Sequence, residues 1–328
     1  MSQKRIEFID LAKGICIILI ILGHCGVQLQ IPGLTEFSMP AFFVLSGLFF
    51  KEHENIKVFI VKKCNGLLIP FLFFYLIGYI AFYGIKLFAP SLLITSSDGI
   101  LDVFNNRQFF NGPIWFLLSL FWTNIYMYII YNSIKNEYLR IATIVILGYL
   151  GWLLGQNNVF VPMFMDVALT TLPFFAFGFY IKKTQLLYPN KQDKYILLHI
   201  ICLWIVTYIL LHSFTIRISF HYNIIEGSYC YLTSIIGVLL LIILCKAIKN
   251  ITFITYCGRY SLILLCVHHM IYRPLIVIMQ KTGIELLGNN WSIAIITLLL
   301  SAACIPVCKR LIPWFVAQMD LIKLPQKR

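Results

Sequence analysis

The chain has 328 residues, of which 60% are hydrophobic and 12% charged, and its mean hydropathy is +0.86. An ordinary soluble domain carries about twice that share of charge, and one soluble core of this size could not cover so much apolar surface. The net charge of +13 sits in short basic clusters between apolar runs, which suits an anionic leaflet rather than nucleic acid; a cytosolic enzyme, a nucleic-acid module and a disordered chain are excluded.

Apolar runs such as "GICIILIILG" and "CYLTSIIGVLLLIILC" are long and unbroken. Barrel strands would be short and alternating, so the runs predict helices. A crossing helix needs about 20 apolar residues. That places ten spans at roughly 8–28, 36–50, 66–89, 113–133, 138–155, 165–182, 195–212, 229–247, 258–280 and 291–312. With the N-terminus in the cytoplasm, only Lys86, Arg107, Arg217, Arg273 and Lys281 of the 26 basic residues fall on the outer side. The positive-inside rule therefore predicts both termini cytoplasmic. The expected architecture is an all-α integral membrane bundle of about ten transmembrane helices, with 1–328 as one domain and no appended soluble domain.

The first segment starts with Lys4 and Arg5 before an apolar stretch, as a signal peptide does. Asp10 and Lys13 inside its start, and the lack of an A-x-A-like site, predict an uncleaved span instead. Asp10 and Lys13 are three apart and share a helix face, where a local ion pair with snorkelling lysine is the plainer reading. His24 follows Asp10 by 14 residues, about 21 Å of helix rise, which puts it in the outer half of the membrane. Ionisable groups there are costly and are functional candidates by default. Histidine, with an unperturbed pKa of about 6.5, can act as a general base. A structural histidine bonded to a neighbouring helix is the other reading.

In "MPAFFVLSGLFFK" (39–51), Met39, Phe42 and Phe43 read as packing residues, and Ser46-Gly47 as a close helix approach. Ser46 has no basic partner within its own helix. Lys62 and Lys63 precede the third span, where they anchor it or hold phosphates of a cytoplasmic donor. The outer loop 91–112 is polar and aromatic, with Asn105, Arg107 and Asn111. Trp115 at the start of the fourth span fits an aromatic belt. In "GRYSLILLCVHHM" (258–270), His268 lies about 15 Å of rise beyond Gly258. His268 and His269 are adjacent, so at most one of them is expected in a given site. The ten cysteines form no C-x-x-C pair and read as small apolar packing residues. Cys304 and Cys308 have no histidine or carboxylate nearby, so no metal is expected.

Six blocks taken in order resemble the acyltransferase-3 family of integral-membrane O-acyltransferases. They are "RIEFIDLAKG" running into "ILGH", "MPAFFVLSGLFF", the basic stretch into "LLIP", "GPIWFL", "DVALTTLPFFAFG" (166–178) and "GRYSLILLCVHH". The look is closest to the branch of sugar O-acetylases and polysaccharide O-succinyltransferase-like proteins. The resemblance implies transfer from cytoplasmic acyl-CoA, acetyl-CoA or another, to a hydroxyl of a sugar or cell-surface glycan, in the inner membrane of a bacterium. It implies His24 as catalytic residue, with Asp10 and Lys13 matching the aspartate and basic residue that precede it. It places the C-terminal histidine on His268, with Leu265 where relatives have tyrosine. The family's two arginines three apart are met only by Lys62, Lys63 and then Gly66. On this reading Asp10, His24 and His268 are catalytic. Lys13, Lys62, Lys63 and Arg259 hold the donor, and Asn111, Trp115 and Asp166 hold the acceptor. His24 serves as general base or forms an acyl-imidazole. The partners implied are acyl-CoA, the glycan acceptor and the bilayer. A glycan or glycolipid transporter or flippase also fits ten spans and intramembrane histidines, but no internal repeat or paired broken spans support it.

Overall fold

The computed structural model describes residues 6–27, 37–52, 55–88, 100–105, 109–184, 195–199, 201–203, 205, 218–225, 229–282 and 289–324. The helices are α1 (Glu7–His24), α2 (Ser38–Gly47), α3 (Ile56–Lys63), α4 (Ile69–Phe88), α5 (Trp115–Ser133), α6 (Glu137–Gln156), α7 (Met165–Ile181), α8 (Tyr229–Ile248), α9 (Thr252–Arg259), α10 (Ser261–Thr282) and α11 (Asn290–Leu311). Among the described residues the only strand pairing is a two-residue ladder, Ile218–Ser219 against Ile224–Ile225.

Seven described helical stretches are long and apolar enough to cross a membrane. This is a multi-pass helical membrane protein, because in lipid a helix satisfies its own backbone polar groups. Three expected spans differ from that set. The first is α1, a helix that carries Glu7, Asp10 and Lys13. The second is α2, whose ten residues rise only about 15 Å. Most of the seventh (195–212) lies outside the described residues; 195–199, 201–203 and 205 are helical.

Two boundaries also move. The third span begins at Ile56, ten residues before the expected start at 66, so Lys62 and Lys63 lie on a helix rather than in a loop. Its helix runs through a π segment, Cys64–Leu68. There Asn65 donates to the Ile322 carbonyl at 2.8 Å and accepts from the amides of Leu321 and Ile322 at 3.1 and 2.9 Å, which pins the C-terminal segment. The ninth span is two helices, α9 and α10, meeting at Tyr260.

Helices α5 and α7 are mostly buried, while α6 and α11 expose large apolar residues such as Ile146 and Leu299. That is the pattern of a bundle whose outer faces meet lipid tails. Lipid is as apolar as leucine, so helices associate through close packing at small residues. Gly14 of α1 lies against the Ile254 carbonyl of α9, and Gly258 of α9 against the Asp10 carbonyl of α1; a methyl group at either position would overlap that oxygen. Gly14→Ala is therefore expected to force α1 from α9 and lower stability by roughly 1–3 kcal/mol. Thermal unfolding in detergent measures this, and an unchanged midpoint would show that the contact can relax.

Candidate functional site

Three histidines meet at the end of α1. His24 is the last residue of that helix. Gly26 at φ +77° takes the left-handed turn that ends it. The amide of Gly26 bonds the Gly23 carbonyl and that of Val27 the Leu22 carbonyl, both at 3.0 Å. This Schellman arrangement stops the helix and fixes where His24 projects. Asn290 of α11 donates to the Gly26 carbonyl at 2.9 Å, tying the turn to the bundle.

His268 and His269 come from α10. His24 Nδ1 lies 3.0 Å from His268 Nε2, with the two rings stacked at 5.1 Å. His269 sits edge-on to His24 at 5.0 Å. Successive residues on a helix diverge by about 100°, yet one imidazole at the end of α1 bridges the gap. This corrects the expectation that only one of the pair can join a given site.

The hydrogen bonds order the protons. His268 Nδ1 is 2.8 Å from the Leu264 carbonyl. A carbonyl only accepts, so that nitrogen carries a proton. A neutral His268 then presents a lone pair at Nε2, and His24 donates to it from Nδ1. The lone pair of His24 is left on Nε2. His268 is 0% exposed, and His24 is the least buried of the three. One imidazole thus orients another whose free nitrogen can take a proton. Ligand atoms of the three histidines lie within 4.8 Å of one another, so the trio could also hold a metal ion; that use would have to break the His24–His268 bond.

A fourth histidine stands beside them. His221, in the loop between the two short strands, contacts Phe164 at 5.5 Å and Trp115 at 5.8 Å between ring centroids. Gly112 lies between His221 and His269, where a Cβ would meet their Cε1 atoms at 3.8 and 4.0 Å. Sequence reasoning passed over His221. Its only signal is a histidine in the aromatic stretch "FHYN".

Several expected site residues have partners of their own. Asp10 is 14 residues down an unbroken helix from His24, about 21 Å. It pairs with Arg259 at 3.6 Å instead. Asn111, 1% exposed, donates to the Cys266 carbonyl at 2.9 Å and so clamps α10. Asp166 is 0% exposed and accepts from Asn223 Nδ2 at 3.0 Å. Asn223 also donates to the Gly151 carbonyl at 2.9 Å, so Asp166 secures the loop that carries His221. Trp115 is buried at 6% exposure in the aromatic cluster rather than in an interfacial belt. Asn105 is at the end of a short helical turn, and Arg107 lies outside the described residues.

Below the histidines is a cavity of about 130 Å³. Lys13, Ile17 and Ile20 of α1 and Ser261, Leu262 and Leu265 of α10 line it. Its upper lining, Ile20 and Leu265, is about one turn short of His24 and His268. Lys13 marks its other end. Lys62 and Lys63 do not line it, and Lys63 lies over the Phe59 ring at 5.5 Å.

The family model described as "Acyltransferase domain" (Acyl_transf_3) matches residues 6–309, nearly the whole chain. No curated protein and no solved structure matches the chain.

Proposed function

From the fact that the chain belongs to this acyltransferase family, we propose that it is an O-acyltransferase moving an acyl group from acyl-CoA to a hydroxyl of a sugar or cell-surface glycan. The observation that carries this is the His24–His268 pair, which leaves a lone pair on His24 Nε2. In the general-base route the acceptor hydroxyl gives its proton to His24 Nε2 as its oxygen attacks the thioester carbonyl. His268 stabilises the imidazolium by accepting the Nδ1–H bond. The tetrahedral intermediate then collapses, the C–S bond breaks, and the CoA sulfur takes the proton back from His24. An acyl-imidazole route would use the same nitrogen. Neither route draws on a metal, since both ring nitrogens of His268 are already engaged.

The cavity supports a route for the donor. Its Lys13 end suits CoA phosphates, and its apolar lining suits the pantetheine arm and a short acyl group. By the positive-inside reading the Lys13 end faces the cytoplasm, in the inner membrane of a bacterium, and the acceptor stays on the far side. Purified protein with labelled acetyl-CoA tests the activity: transfer to a glycan or slow hydrolysis supports it, and no turnover of any acyl-CoA defeats it.

Of the expected donor residues Lys13, Lys62, Lys63 and Arg259, only Lys13 lines the cavity, which favours it for the phosphates. Lys13→Ala should raise KM for acyl-CoA about tenfold, as expected for one lost charge-assisted hydrogen bond of about 1.5 kcal/mol. The Lys62→Ala/Lys63→Ala double variant should change it less. Steady-state kinetics against acyl-CoA concentration separates the two, and the reverse ranking would return the phosphates to α3.

A further inference from the structure

Among the described residues, Arg273 of α10 is the one cation close to the histidines that the mechanism above does not use. It lies four residues beyond His269, so the two share a helix face. Its charge acts on both His24 and His269. Its Nε is buried and has no hydrogen-bond partner, and no ion pair of Arg273 occurs among the described residues. A guanidinium inside a membrane bundle is costly unless something pairs with it, and its planar fork matches carboxylate and phosphate oxygens.

The position says which substrate would bring that anion. Helices α1 and α10 rise together past the cavity, from Lys13 to His24 and from Ser261 to His268. Arg273 is five residues further along, about 7.5 Å of rise beyond His268. The donor cavity and Arg273 thus lie on opposite sides of the reactive nitrogen. Next to the histidines, across Gly112, stands the aromatic wall of Trp115, Phe164 and His221, against which a sugar ring can stack.

We propose that the acceptor is acidic, and that Arg273 binds a carboxylate or phosphate it carries near the hydroxyl to be acylated. This rests on the acyl-transfer reading, but its test does not depend on turnover. Full-length protein in detergent is unfolded thermally with glucose, glucuronate or glucose 1-phosphate. One of the two anionic sugars should raise the midpoint at concentrations at least tenfold below those at which glucose does so, and which one does so separates a carboxylate from a phosphate. Arg273→Gln should erase that preference, and Arg273→Lys should keep part of it.

Equal effects of all three sugars on the wild-type protein overturn the proposal, as does a preference that survives Arg273→Gln. A second arm compares succinyl-CoA with acetyl-CoA. If the wild type prefers succinyl-CoA and Arg273→Gln loses that preference, the arginine reads the acyl group and the acceptor assignment is wrong. If no acyl-CoA turns over while the sugar preference stands, the acyl-transfer reading fails and the anion site remains.

Discussion

His24→Ala is expected to lose acyl transfer by roughly 10²–10⁴-fold, the usual range for a positioned general base, while the protein still folds. The side chain ends α1 rather than filling a core position. The stop of that helix is made by backbone bonds around Gly26, which the substitution leaves in place. Expression and unfolding midpoint should therefore stay close to wild type. A loss confined to kcat would place His24 in the transition state, because uniform binding losses appear in KM. Turnover within a few-fold of wild type, in folded protein, would remove His24 from the reaction.

His268→Ala should lower kcat by on the order of 10²-fold, within the range of a general base's contribution, with KM for acyl-CoA nearly unchanged. His268 lies between the His24 ring and the Leu264 carbonyl. Without it, His24 Nδ1–H has no acceptor, so the lone pair on Nε2 is no longer held in place. The imidazolium formed in the reaction also loses its partner. His268→Gln keeps an acceptor oxygen and should recover part of kcat, which a merely space-filling role would not predict. Equal losses in the Ala and Gln variants, matched by a drop in unfolding midpoint, would reduce His268 to packing.

The helical membrane class was legible because apolar runs of crossing length have few other solutions. His24 and His268 were legible for a related reason: an ionisable group amid apolar neighbours must be useful or paired. His269 was misjudged because helical spacing describes one helix, and the ring that joins the pair comes from another. His221 was missed because it sits in a loop, where no periodicity sets it apart. Asn111 and Asp166 were expected as acceptor contacts only on the resemblance. Asn111 Nδ2 bonds the Cys266 carbonyl and Asp166 bonds Asn223, and partners on distant segments are not written in local sequence. Asp10 joined His24 in the catalytic set through the resemblance alone; one straight helix keeps the two about 21 Å apart, as their spacing already implied.

That straight helix is also a gauge. Between Lys13 and His24, α1 runs eleven residues without a break, about 16 Å at the rise of an α-helix. It is gripped near one end by Gly14 against Ile254 and near the other by Asn290 on Gly26. A residue added or removed between those grips cannot be taken up locally. It would turn the imidazole by about 100° and shift it by about 1.5 Å, away from both His268 and the near end of the cavity. The apolar side chains of this stretch can exchange for others of similar size with little harm, but their number is part of the chemistry.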